Sequence, residues 1–93
     1  MIKSTRSSRP LTGPQIRAGR ALIRWSAEDL ARSSLVGLTT IRRAELNEAE
    51  TSLTSANDLA IRRALEAARI EFIEENGGGP GVRLRKPEQT KKG

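Results

Sequence analysis

Ninety-three residues suffice for one domain with a small core. The chain has no Cys and no His, which excludes disulfides, thiolate nucleophiles, Cys/His zinc sites and any triad that needs an imidazole. Its 17 Lys+Arg against 11 Asp+Glu give a net charge of +6, and apolar runs such as Ala21-Leu22-Ile23 are too short for a membrane span or a signal-peptide core, so a soluble, basic, cytoplasmic protein is expected.

Residues 1–11 are Ser/Arg-rich and aperiodic, the pattern of a flexible basic arm. Lys3, Arg6 and Arg9 on that arm suit a phosphate backbone or a minor groove, although such a run also serves as a solvated tail. Thr12-Gly13-Pro14-Gln15 is a capping box with Pro in the first turn, and it opens a helix over about residues 13–24. Ile16, Gly19, Arg20 and Ile23 share one stripe of that helix. Ser26-Ala27-Glu28-Asp29 caps a second, short helix over about 27–34, with Ala27, Leu30 and Ala31 on its apolar face. Gly37 supplies a turn and an N-cap. A third helix runs from Leu38 to about Leu46, with Ile41, Ala44 and Glu45 inward and Asn47 suited to a left-handed C-terminal cap. A polar connector, 48–54, leads to Ser55, the expected cap of a fourth helix over about 56–69. Ile61, Leu65 and Ala68 face inward there, and Arg62 pairs with Glu66 on the other side.

The period then shifts from 3.6 toward 2. Ile70–Ile73 and Val82–Arg85 read as strands around the Gly-rich loop 76–81, a β-hairpin. The loop is followed by no GK[ST], so it is not a phosphate loop. Glu74-Glu75 beside it carries no catalytic signature. Residues 86–93 form a basic tail. No metal ligand set and no cofactor motif is present, and the chain does not read as an enzyme.

Two short helices joined by a tight turn, with small or apolar residues at Leu30, Ala31, Val36 and Ile41, form the helix-turn-helix pattern. That pattern leaves Thr39, Thr40, Arg42 and Arg43 pointing outward at the start of the third helix, the part of a recognition helix that meets base edges. Through QIRAGRALIRW (15–25), SAEDLARSS (26–34) and TTIRRAE (39–45), the chain resembles the Xre-type, phage-repressor-like helix-turn-helix family. The resemblance implies a mainly α fold: a bundle of four to five helices over residues 12–69, here followed by the hairpin 70–85. It also implies binding of double-stranded DNA as a transcriptional regulator, most simply a repressor. Ser26 and Ala27 match the start of the family's second helix at the backbone and groove edge, where Gln is frequent in place of Ala27. Arg20 and Glu45 match a structural Arg–Glu pair. Leu35 and Asn47 stand where the family has Gly, and Ala44 where it has a larger apolar residue.

A single recognition helix reads too few base pairs to select one genomic site. A homodimer on an inverted-repeat operator is therefore expected, with Ile70, Phe72, Ile73, Val82 and Leu84 of the hairpin as its interface, since a lone hairpin is marginal in water. The competing arrangement has the hairpin folding over its own helices. The competing function is a protein-interaction module, such as an antitoxin or an adaptor, that binds a protein partner.

Overall fold

The structure, a computed structural model, describes residues 9–87, so Lys3, Arg6 and the tail beyond Pro87 lie outside the described residues. Four helices precede a hairpin: α1 (Gly13–Leu22), α2 (Ala27–Ser34), α3 (Leu38–Leu46), α4 (Ser55–Ala67), β1 (Ile70–Ile73) and β2 (Gly81–Leu84). The fold is mainly helical with a C-terminal two-stranded antiparallel sheet.

Local chemistry starts each of the first two helices. Thr12 Oγ1 accepts from the Gln15 N–H (3.1 Å) while Gln15 Oε1 accepts from the Thr12 N–H (3.0 Å), and Ser26 and Asp29 repeat the exchange at α2. Each box satisfies donors that a helix start leaves without partners. α1 ends earlier than the expected residue 24. Arg24 is left-handed (φ 59°), and the Trp25 and Arg24 N–H groups turn back to the carbonyls of Arg20 and Ala21, a Schellman closure with Arg where Gly is usual. α4 likewise ends at Ala67, with Arg69 left-handed. Asn47 does not take the expected left-handed cap; it is extended (φ −75°, ψ 130°) and leads directly into the connector.

Two expectations at α4 change. The N-cap is Thr54, whose hydroxyl accepts from the Asn57 N–H (3.1 Å), and Ser55 is the first helical residue. Asp58 is thereby free to accept from the Leu11 N–H at 2.8 Å. Arg62 is buried rather than on a solvated face. Its guanidinium lies 3.6 Å from Asp58, donates to the Arg9 carbonyl (3.1 Å) and sits 5.3 Å from the Phe72 ring centroid.

The core is assembled from Ile16 of α1, Leu30 of α2, Ile41 of α3, Ile61 and Leu65 of α4 and Ile70 of β1, all fully buried. Leu11 belongs with them, so the ordered domain begins before Thr12. Its backbone is pinned to the connector, where the Thr51 N–H donates to the Leu11 carbonyl (2.9 Å) and the Gly13 N–H to the Ala49 carbonyl (3.2 Å). The hairpin pairs Ile70 with Leu84 and Phe72 with Val82, which puts those four side chains on one face. That face packs on α1 and α4 of the same chain. Ile70, expected at a dimer interface, is instead 1% exposed in the chain's own core, with Phe72 and Val82 packed against it. Leu84 remains 41% exposed and Ile73 half-buried on the other face. Gln15 Nε2 donates to the Gly81 carbonyl (3.0 Å) and ties the hairpin to α1.

α1 and α3 approach closely at Gly13. A Cβ there would lie 1.9 Å from the Asn47 carbonyl oxygen and 2.8 Å from that of Ala44. Both obstacles are backbone, so Gly13→Ala must separate the two helices. The expected loss is about 3 kcal/mol, at the upper end of overpacking costs, and thermal denaturation of the folded variant measures it.

Candidate nucleic-acid interface

α2 and α3 are joined by Leu35, Val36 and Gly37. Val36 is buried beneath the turn, and the Ser34 hydroxyl accepts from its N–H (3.2 Å). Leu35 is left-handed (φ 63°, ψ 24°) and 91% exposed. The geometry that usually calls for Gly is adopted here by a residue whose side chain packs on nothing.

α3 turns Ile41, Ala44 and Glu45 inward. Thr39, Arg42 and Arg43 are exposed, and Thr40 is half-buried. Thr40 and Arg43 also line a cleft of about 320 Å³ against Asn47, Thr54 and Asn57 at the start of α4. Ser26, at the N-terminus of α2, is exposed but committed to its cap. Ala27, expected at the groove edge, is a core residue at 8% exposure: it lies three residues before Leu30 on the apolar stripe, so its methyl faces inward.

The angle of α3 is set from α1. Arg20 grips Glu45 with two parallel bonds, Nε to Oε2 (2.6 Å) and Nη2 to Oε1 (2.8 Å), and its Nη1 donates to the Trp25 carbonyl (2.8 Å). The side chains are 21% and 9% exposed. The bond to Glu45 holds the Arg20 pKa above its ordinary value against desolvation. Arg17 Nη1 adds a bond to the Glu45 carbonyl. Three bonds from one planar guanidinium fix both the end of α1 and the last turn of α3.

The outward face is not uniformly basic. Arg42 Nη2 donates to Glu28 Oε2 of α2 at 3.0 Å, with both side chains over half exposed. Backbone N–H bonding at the helix start, with Arg42 contributing, holds the Glu28 carboxyl below its usual range. Bonding to the Ser26 N–H does the same for Asp29. Both carboxylates are therefore charged at neutral pH. Their contribution to stability is complete above the ordinary carboxylate range and is lost as pH falls through their lowered folded values. Arg43 makes no ion pair or hydrogen bond among the described residues.

Arg9, expected on a DNA-contacting arm, lies elsewhere. Its guanidinium is 3.7 Å from Glu50 and its carbonyl is held by Arg62, on a cleft to which α2 and α3 contribute no residue. Sequence reasoning did not find Glu28 as the partner of Arg42. The two are fourteen positions apart, and no periodicity within one helix marks such a pair.

Among the described residues no cluster of His, Cys, Asp or Glu is placed to hold a metal ion, and no helix is long and apolar enough to cross a membrane. The chain matches no protein-family model and no curated protein.

Two variants test this frame by thermal or denaturant unfolding. Glu45→Ala leaves the Arg20 guanidinium without its carboxylate and should cost about 2–3 kcal/mol, less than a fully buried orphan charge because part of Arg20 reaches water. Leu35→Gly should gain about 1 kcal/mol, the left-handed penalty of an L-residue less the entropy Gly adds to the unfolded chain.

Proposed function

We propose that the chain is a sequence-specific, double-stranded-DNA-binding regulator of the Xre type, most simply a repressor, that lays α3 in the major groove. The carrying observation is the outward face of α3. Thr39, Arg42 and Arg43 stand exposed on a helix whose opposite stripe is buried and clamped through Glu45. α2, a three-residue turn and α3 supply the helix-turn-helix that would present that face. An exposed guanidinium held on a fixed helix suits bidentate bonding to guanine O6 and N7, and Arg43 has its donors uncommitted. The net charge of +6 favours a polyanion.

Two copies on an inverted repeat complete the reading, because one helix reads few base pairs. With Ile70 in the core, the hairpin can offer a second copy only its margin, Leu84 and Ile73. Arg6 stays part of the proposal as an arm contact; Arg9, paired with Glu50, does not.

Selection from a random duplex pool, followed by salt titration of the enriched site, tests the proposal. The expected product is an inverted repeat with half-sites about one helical turn apart, bound more tightly than random duplex and with a marked salt slope. A pool that shows no enrichment overturns it. On the selected site, Arg43→Ala should weaken binding by about 1–3 kcal/mol. Glu28→Gln should strengthen binding, since it removes an anion from the face and releases Arg42; fluorescence anisotropy reads both.

A further inference from the structure

A second surface has the opposite charge. The segment 9–12, the connector at 48–50 and the end of the hairpin enclose a cleft of about 320 Å³. Its apolar lining comes from Pro10, Phe72, Ile73 and Pro80. Phe72 is braced by the buried Arg62, whose guanidinium lies 5.3 Å from its ring centroid and is itself held by Asp58 and the Arg9 carbonyl. The floor is thus fixed before anything binds.

Glu48 and Glu50 line it from the connector, Glu74 and Glu75 from the end of the hairpin. All four are exposed. Glu75 is oriented by the Gly77 and Gly79 N–H groups (2.8 and 3.2 Å), which donate to its Oε2. Of the two cations that line the cleft, Arg62 is matched by Asp58 and Arg9 lies 3.7 Å from Glu50, while Arg17, outside the lining, lies 3.6 Å from Glu48. Both of these last pairs are exposed, hence weak and exchangeable, and Glu74 and Glu75 have no cation within ion-pair distance among the described residues. Carboxylates therefore dominate this rim on a chain whose net charge is +6.

We infer that this cleft docks a segment of a partner protein in which a bulky apolar side chain is flanked by Lys or Arg. The apolar floor takes the anchor, and the carboxylates of the connector and of the hairpin end meet the cations flanking it. A point-like amine would use one of these two groups only, and a nucleic acid would be repelled. The cleft volume falls at the small end of ligand sites, which suits one anchor residue rather than a docked helix. The inference does not rest on the DNA-binding proposal, and its test contains no DNA.

The experiment titrates the full chain, with its amides observed by NMR, with a short synthetic peptide bearing a central Leu flanked by Arg. The expected result is saturable perturbation of Phe72, Ile73 and Gly81 that leaves α3 unchanged. Glu74→Lys, an exposed substitution, should weaken binding about tenfold, and so should replacing the peptide's Leu by Ala. Absent perturbation, perturbation spread equally over exposed carboxylates such as Glu28, or indifference to the Leu→Ala change overturns the inference. Concentration-dependent perturbation of the same amides without peptide would mean that a second copy fills the cleft, and would equally overturn it.

Discussion

The Arg20–Glu45 pair decides what the outer face of α3 can do. α3 has only nine residues, too short to hold a helical shape or a fixed direction by itself. Its core stripe, Ile41 and Ala44, leaves rotation about the contact poorly determined, because apolar packing is non-directional. The planar guanidinium removes that freedom. Two bonds to Glu45 and one to Trp25 allow one relation between the end of α1 and the last turn of α3. Gly13 closes the other end of the contact by admitting the Asn47 carbonyl. A buried ion pair contributes less to stability than its Coulomb energy suggests; its contribution here is direction.

The features legible in the sequence were local. The capping boxes at Thr12 and Ser26 each involve residues three positions apart, and both form. The bounds of α2 and α3 and the inward set Ile41, Ala44 and Glu45 follow from period and caps in the same way. Three departures depend on distant partners. Ser55 and Thr54 are equivalent caps by composition, and the choice falls to Thr54 while Asp58 bonds Leu11, 47 positions away. Arg62 reads as surface because it is charged, yet Asp58, Phe72 and the Arg9 carbonyl together satisfy it inside. Leu11 looks like the end of an arm until the connector pairs with it. Of the candidate site, Thr39, Arg42 and Arg43 stand outward as their spacing suggests, whereas Ala27 is buried in the core and Arg9, though exposed, lies on a different cleft.

The hairpin shows how one physical premise admits two outcomes. An isolated two-stranded sheet is marginal in water, so its apolar face needs cover. α1 and α4 supply it. Gly19 presents no side chain where Leu65 and Ile70 come close, and Gln15 reaches the Gly81 carbonyl. The premise held; the cover came from the same chain. What the hairpin leaves outward is mainly polar, the Glu71–Arg83 pair at 3.1 Å and the acidic end at Glu74 and Glu75, so its exposed edge reads as a rim for cations more readily than as an apolar seam between copies.

The Glu28–Arg42 pair bears on how the proposed DNA face would discriminate. An exposed ion pair contributes little and is screened by salt, so Arg42 can exchange Glu28 for a better acceptor. A guanine edge, which accepts two parallel N–H bonds, is one. A base that offers a single acceptor, or a methyl group, returns less, and at such a base Arg42 would stay with Glu28. Glu28 also repels phosphate wherever the helix lies out of register. The carboxylate therefore lowers affinity for every duplex while lowering it least for the matching one, a trade of binding strength for selectivity. Arg43, with no such competitor among the described residues, would bind guanine or phosphate without that filter. Two adjacent arginines of the same helix are thus unequal for a reason located on α2.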